Sequence, residues 1–575
     1  MPASRGLFGA GLLVLCAAAA AHAGGTARFT LGTRAETSDG LSEFVGNYRR
    51  VNPLPASVST GNLARDRVAA EIIAGDGYQS LRALYEPPVP PNTDGPRGLL
   101  YGVGEGDWRW DSGWQAAGRL ATREISRATL DDGRFAARAR NTFLIDEAYV
   151  RFYRWDDWRT FDAGRKRLRI ADGFIHDDYQ TLVHGGADFG LIGAAPFALD
   201  VKLAKIEGEH IDESHASRWD GEGLFDPGES AYLNKATLSY PISTLESVNL
   251  SYVRFDERNG YFADLFNPVV GEGVLARAGE ATVKLIPGIV AAARDRCQQR
   301  YPRRGALYES CVFEVSDRVL QGIAAKQYTT IVEPALKGPI GGGRSFLNYG
   351  VVDGRKFAGD FTLDWTLIGE WGRVTLTKFS PVLRRSTAQG FEPLPERIDF
   401  PALGLLGYGE LTYAPRSDWR FRAHYLFSSG DTPGNERLLN GETYHSFIAV
   451  RPYVTLTNIF FSGGINENLR TGSLSPSGYF GHGVWTGVLD ATWMPRDNVG
   501  ATLTGAYLHA QRSPVASEGA GRTGEYGWEG DCVATYAPLS WLGLSLEGDY
   551  FAAGGFFVDL PDVWKLAAGV DFAIE

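Results

Sequence analysis

Four short segments constrain this chain more than its composition does. Each has an aromatic residue, a proline within two positions, a few turn residues and then an extended stretch. They are Tyr240-Pro241, Tyr413-Ala414-Pro415, Trp493-Met494-Pro495 and Tyr536-Ala537-Pro538. Each joins two runs of roughly ten residues in which apolar and polar side chains alternate, the length and period of a tilted membrane-crossing strand. Trp419, Phe421, Ala423, Tyr425 and Phe427 alternate with Arg420, Arg422, His424 and Leu426. Trp564, Leu566, Ala568, Val570, Phe572 and Ile574 put a wholly apolar face on the last run. Side chains of a strand point to opposite faces in turn, so each run has one oily face.

A soluble β-sandwich alternates too, but two features separate the cases. Hairpins recur about every 40 residues, and the connections alternate in length. The proline turns are short, whereas 429–441, 462–481 and 511–524 are long and rich in Gly, Ser, Asn and Asp. Short periplasmic turns with long external loops belong to barrels of the outer membrane. The sequence therefore predicts an all-β fold, a transmembrane antiparallel up-and-down β-barrel of about 18 strands, within 16–20. Read in strict up-and-down order, the strands fall near 108–121, 140–154, 160–170, 182–192, 197–206, 230–240, 247–256, 345–352, 357–369, 402–413, 419–428, 443–451, 453–461, 483–493, 499–509, 525–536, 541–551 and 562–574.

The N-terminus agrees with export. Arg5, an apolar stretch from Leu7 to Ala20, and Ala21-His22-Ala23 have the form of a secretory signal peptide covering 1–23. After Ala23 no apolar run approaches the roughly 18–20 residues of a membrane helix. Residues 24–104 contain one strand-like stretch, Ala27–Arg34, and the proline-rich 87–96, and read as a periplasmic or plug-like extension. The barrel then occupies 105–575, interrupted by a long external insertion at 257–344. That insertion carries helical stretches, the basic group Arg294, Arg296, Arg300, Arg303 and Arg304, and Cys297 and Cys311. These two cysteines enclose a short loop and are the natural disulfide pair in an oxidising compartment. Cys532 shares parity with Trp528 and Tyr536 and should face lipid.

The chain is acidic, with a net charge of −11, but its charges are not evenly spread. Arg165, Arg167 and Arg169 share one parity; Arg420 and Arg422 oppose an apolar face; Arg119 and Arg151 each sit opposite apolar partners. Arginine facing lipid at mid-depth costs roughly 2–4 kcal/mol, so these side chains are expected to line the lumen or lie near an interface. Guanidinium groups around water attract carboxylate or phosphate, and their fork suits carboxylate oxygens. The carboxylates Glu147, Asp172, Asp177, Asp364 and Glu370 interleave with them. They either neutralise the arginines or complete a ladder of alternating charge, and both readings stay open. No nucleophile–base–acid set is evident, and no metal template is present. Residues 220–229 could hold Ca²⁺ in an external loop, the only cofactor suggested.

Residues 144–152 (LIDEAYVRF) followed by 161–180 (FDAGRKRLRIADGFIHDDYQ), with FSSGDTPGNE at 427–436, resemble the alginate-export family of outer-membrane barrels. The resemblance implies an 18-stranded barrel, passive secretion of an anionic exopolysaccharide through an arginine-lined constriction, a plugging loop and partners in a periplasmic secretion complex. It also implies that Glu147, Arg165, Arg167, Arg169, Asp172 and Asp177 are lumen residues. The 24–104 extension, the 257–344 insertion and the terminal Glu575 depart from the family pattern. Two alternatives remain: a porin for small anions or general solutes, and a closed barrel acting as an enzyme or scaffold. The expected partners are an anionic polysaccharide or other anionic solute and outer-membrane lipid, with no nucleic acid.

Overall fold

A computed structural model describes residues 26–39, 97–110, 112–131, 134–152, 159–206, 231–257, 285, 287–303, 305–327, 341–342, 344–387, 390–431, 441–450, 452–461, 481–513, 523–557 and 561–574. Eighteen strands follow the chain: β1 (Thr26–Asp39), β2 (Arg97–Arg109), β3 (Trp114–Asp131), β4 (Arg134–Phe152), β5 (Arg159–Ile170), β6 (His176–Asp188), β7 (Ala198–Ile206), β8 (Ala231–Ser243), β9 (Glu246–Glu257), β10 (Ser345–Ala358), β11 (Phe361–Thr387), β12 (Gly390–Arg416), β13 (Trp419–Ser428), β14 (Val484–Arg496), β15 (Val499–His509), β16 (Glu525–Leu539), β17 (Leu542–Ala553) and β18 (Val563–Ile574). A two-residue stub, Gly341–Gly342, also pairs with β11. Each strand pairs antiparallel with its neighbours in sequence, and β18 returns to β1 with Ile574 opposite Phe29 and Trp564 opposite Asp39. The sheet is closed, and among the described strands none is an edge.

The outer wall is built by the alternation seen in the sequence. Phe361, Leu363, Leu367 and Trp371 of β11 are exposed, as are Leu403, Leu405, Leu411 and Tyr413 of β12 and Leu566, Phe572 and Ile574 of β18. An apolar band of this extent around a closed cylinder is a lipid-facing surface. Aromatic rings mark its short-turn rim: Phe361 stacks on Tyr413 at 4.5 Å, Trp419 lies 6.2 Å from Trp493, and Trp541 lies 6.2 Å from Phe572. Cys532 is exposed on this wall, as its parity predicts. The protein is an outer-membrane β-barrel.

The strand count agrees with the sequence reading, but two strands on each side of the count differ. Thr26–Asp39 and Arg97–Arg109, read as part of an extension over 24–104, are the first two strands of the barrel. On β2 the outward positions include Gly102 and Gly104, and on β1 they include Thr33 and Thr37, which weakens the apolar half of the alternation. Conversely, 443–451 and 453–461 are not wall strands. They belong to a strap, whose described residues are 441–450 and 452–461, that lies between β13 and β14 in sequence and inside the barrel. Phe447, Ile448, Val450, Val454, Ile459, Phe460 and Phe461 of the strap are buried. An extended segment buried inside a barrel has the same apolar content as one facing lipid, and period-two reading cannot separate them.

The strap closes much of the bore with an apolar core. Phe447, Ile448, Phe460 and Phe461 pack with inward-facing Tyr349, Ile368, Leu406, Tyr526 and Phe551. In the 257–344 insertion, residues 287–300 form helix α1 and Ala306–Gln327 form helix α2. Cys297 and Cys311 are disulfide-bonded, with Cα atoms 6.0 Å apart. The proposed signal peptide and the acidic stretch 220–229 lie outside the described residues.

Candidate functional site

Opposite the lipid face, the inner wall carries a belt of paired charges. Strand pairing sets adjacent residues of like parity side by side, so one polar position per strand becomes a ring. On β5, Asp162 accepts from Arg151 of β4 (3.2 Å) and Lys166 (2.9 Å), and lies 3.2 Å from His184 of β6. His184 also contacts Asp200 of β7, which meets Lys202 at 3.5 Å. Farther round, Arg355 bonds Asp364. His424 lies between Glu410 (3.4 Å) and Asp490 (2.8 Å), and Arg422 meets Asp490 at 3.0 Å. Arg34 of β1 is bidentate on Asp571 of β18 (2.7 and 2.8 Å), with the Tyr101 hydroxyl joining them. Arg119 reaches Glu105 at 3.3 Å and stands opposite Glu147.

A ribbon crosses this bore. β5 pairs with β4 only up to Arg165, opposite Ala148, and β6 pairs with β7 only from Thr181. Between these points residues 166–180 form a two-stranded hairpin that pairs with neither flanking wall strand among the described residues. Its tip turns through Ala171 and Asp172 at φ 50° and 53° and Gly173 at φ 92°. The tip reaches β11 and β12: Thr366 donates to Asp172 (3.2 Å), and the Phe174 ring lies 5.0 Å from Tyr408. One ribbon face, with Leu168 and Ile170, is buried in the core. The other carries Arg167 and Arg169 over Asp177. Arg167 is bidentate on that carboxylate at 2.7 Å through both nitrogens, and Arg169 lies 3.8 Å from it.

The strap rests on ribbon and wall through its backbone. Val450 N–H donates to Ile175 (3.0 Å) and Tyr453 N–H to Gly173 (3.0 Å). Glu370 of β11 accepts from Ile448 N–H at 2.7 Å. Glu529 of β16 accepts from Thr457, Ile459 and Phe460, and Asp531 accepts from Asn458. Lys565 donates to the Asn458 carbonyl at 3.0 Å and pairs with Glu547 (2.6 Å) and Asp549 (3.1 Å). Buried amides need partners, and these inward carboxylates supply them.

Arg119, Glu147, Arg151, Arg420 and Arg422 share the inward parity of their strands. Arg165, Arg167 and Arg169 do not: they share the β5 face of Phe161 and Ala163, which points away from Asp162. They escape the lipid because the strand leaves the wall where they begin, and Arg167 and Arg169 belong to the ribbon. Asp172 forms its tip, and Asp177 is the buried counter-charge. The sequence pattern does not single out Arg34 and Tyr101, which lie on strands it reads as an extension, nor Asp571, whose partner Arg34 is there, nor Asp162, Lys166 and His184. The parity of Asp162 against Phe161 and Ala163 was the available signal.

No protein-family model and no curated protein sequence matches the chain, so the alginate-export resemblance rests on the residues that carry it. Among solved structures, similar folds include Pseudomonas aeruginosa OccK9 (OpdG), with 8% identity and a TM-score of 0.44, covering 96% of this chain and 98% of that one. Pseudomonas aeruginosa OpdL has 9% identity and a TM-score of 0.42, covering 96% and 99%. Salmonella typhi OmpF, in complex with daunomycin, has 9% identity and a TM-score of 0.34, covering 96% and 97%.

Proposed function

We propose that the protein is a passive, anion-selective channel of the outer membrane. One asymmetry supports this reading. In the ribbon pair and in two pairs of the inner belt, the carboxylate is buried while the arginine keeps contact with water. Asp177 is 1% exposed beneath Arg167 at 40% and Arg169 at 54%. Asp162 is 2% exposed beside Arg151 at 38%, and Asp490 is 5% exposed beside Arg422 at 35%. A solute in the bore meets guanidinium first. Arg34–Asp571, Arg119–Glu105, Lys202–Asp200 and His424–Glu410 run the other way, so the cationic surface is local: it lies on the ribbon and around Arg151 and Arg422. Low-dielectric walls focus the field of these groups on a water-filled passage.

The cargo that fits best is a small carboxylated solute. Ribbon and strap bridge the barrel from wall to wall and are tied by backbone hydrogen bonds. An anionic exopolysaccharide, the cargo implied by residues 144–180, would pass only after the strap lets go of Glu370 and Glu529. A periplasmic secretion partner belongs to that second reading.

Purified protein in planar bilayers under a KCl gradient tests the proposal. A reversal potential of anion-selective sign is expected. Blockage by short uronate oligomers, with no effect of neutral dextran, supports the small-solute cargo. Blockage by polyuronate alone would favour the polymer. Absence of conductance, even after removal of 441–461, would overturn the channel and leave a closed enzyme or scaffold barrel.

A further inference from the structure

The external insertion holds a feature that the bore does not use. Helices α1 and α2, cross-linked by Cys297–Cys311, pack around a small core of Ala293, Cys297, Tyr308 and Val312. Beside it an apolar groove of about 470 Å³ runs between the helices, lined by Leu285, Ile289, Ala292, Val315, Val319 and Ile323. Leu285 is 54% and Val319 44% exposed, so the face is not covered by described parts of the protein. Ala292, Arg296 and Arg300 are spaced i, i+4, i+8 and follow one another along one face of α1. Arg296 itself lines the groove, while Arg300 and Arg303 are exposed at the same end. Polarity therefore changes along the groove rather than around it: an apolar trough ends in a cluster of guanidinium groups.

That is the shape of an anionic amphiphile. We infer that the groove binds an acylated, phosphorylated lipid of the outer leaflet, with its chain in the trough and its phosphate on Arg296 and Arg300. Position supports this occupant. β9 rises from the short turn at 244–245 and ends at Glu257 at the opposite, long-loop rim of the barrel, where the insertion begins. Basic clusters next to an apolar membrane surface select anionic headgroups, and arginine forks match phosphate oxygens. A free anion would need the guanidiniums but not the trough; a neutral acyl chain would need the trough alone.

The test titrates the purified full chain, in a neutral maltoside detergent, with short-chain phosphatidic acid, the phosphatidylcholine of the same chains, and inorganic phosphate. Phosphatidic acid is expected to bind at least about tenfold more tightly than either of the others. The double variant Arg296→Gln/Arg300→Gln should lose about tenfold in that affinity and leave phosphatidylcholine unchanged. Ion selectivity in bilayers should also be unaffected, which separates this site from the anion-binding bore. Val319→Asp should weaken phosphatidic acid while the helical insertion keeps the parent's resistance to limited proteolysis, a sign that the helical pair is intact. Equal binding of phosphatidic acid and phosphatidylcholine, equal binding of phosphate, or unchanged affinity in the arginine variant would overturn the inference.

Discussion

Replacing Arg169 by glutamine isolates one charge at the place where the bore is crossed. The side chain is 54% exposed, lies 3.8 Å from Asp177 and donates to the Asp172 carbonyl at 2.9 Å. Glutamine can keep a donor near that carbonyl, so the ribbon should hold its path. An ion passing about 5 Å from the guanidinium feels about 0.8 kcal/mol in a water-like dielectric. At 0.1 M salt the Debye length is about 10 Å, which reduces this to about 0.5 kcal/mol. An anion loses that stabilisation and a cation is freed of the same repulsion, so the permeability ratio shifts by about 1 kcal/mol, roughly fivefold. The assay is the reversal potential of single channels under a tenfold KCl gradient. Arg169→Gln should lower the chloride-to-potassium ratio about fivefold, whereas Asp177→Asn should raise it. A ratio within about twofold of the parent would mean that ions do not pass the polar face of the ribbon, and the burial asymmetry would lose its functional meaning.

Four further outcomes follow from the geometry. Glu529→Ala removes the acceptor of three strap donors; at about 1–3 kcal/mol for each buried group left unpaired, the strap should loosen, and single-channel conductance should rise or become noisy without loss of the folded barrel on heat-modifiable gels. Glu370→Leu, which strands the Ile448 amide, should act in the same direction but less strongly. Gly173→Val should disturb the ribbon–strap junction, because the residue sits at φ 92° and a Cβ there would lie 2.6 Å from the Tyr453 carbonyl oxygen; the readout is again conductance. Replacing Cys297 and Cys311 by serine should destabilise the external helices by about 3 kcal/mol and leave conductance unchanged, as limited proteolysis and bilayer recordings would report.

Local chemistry made the barrel legible. Trp419 to Phe427 on one side and Arg420 to His424 on the other require one face in an apolar medium and the other against something polar, and the alternation of short turns with long loops identifies that medium as lipid. The proline turns at 241, 415, 495 and 538 then set the direction of each hairpin. The inward placement of Arg119, Arg151, Arg420 and Arg422 follows from the same alternation, since each is opposed by apolar neighbours. The disulfide partners could be read from their spacing. All of this depends on interactions between residues a few positions apart, which sequence contains.

What fills the cylinder was decided by contacts across it. Residues 443–461 have the apolar content of wall strands, and only the carboxylates of Glu370 and Glu529, brought by distant strands to their amides, make them a strap. Arg165, Arg167 and Arg169 alternate as a lumen-facing strand would, yet β5 leaves β4 at Arg165 and carries Arg167 and Arg169 into the bore on the opposite face. Arg34 and Asp571 lie at the two ends of the chain and meet only because the sheet closes. Alternation fixes which way a side chain points relative to its own strand; closure of the barrel decides what it points at.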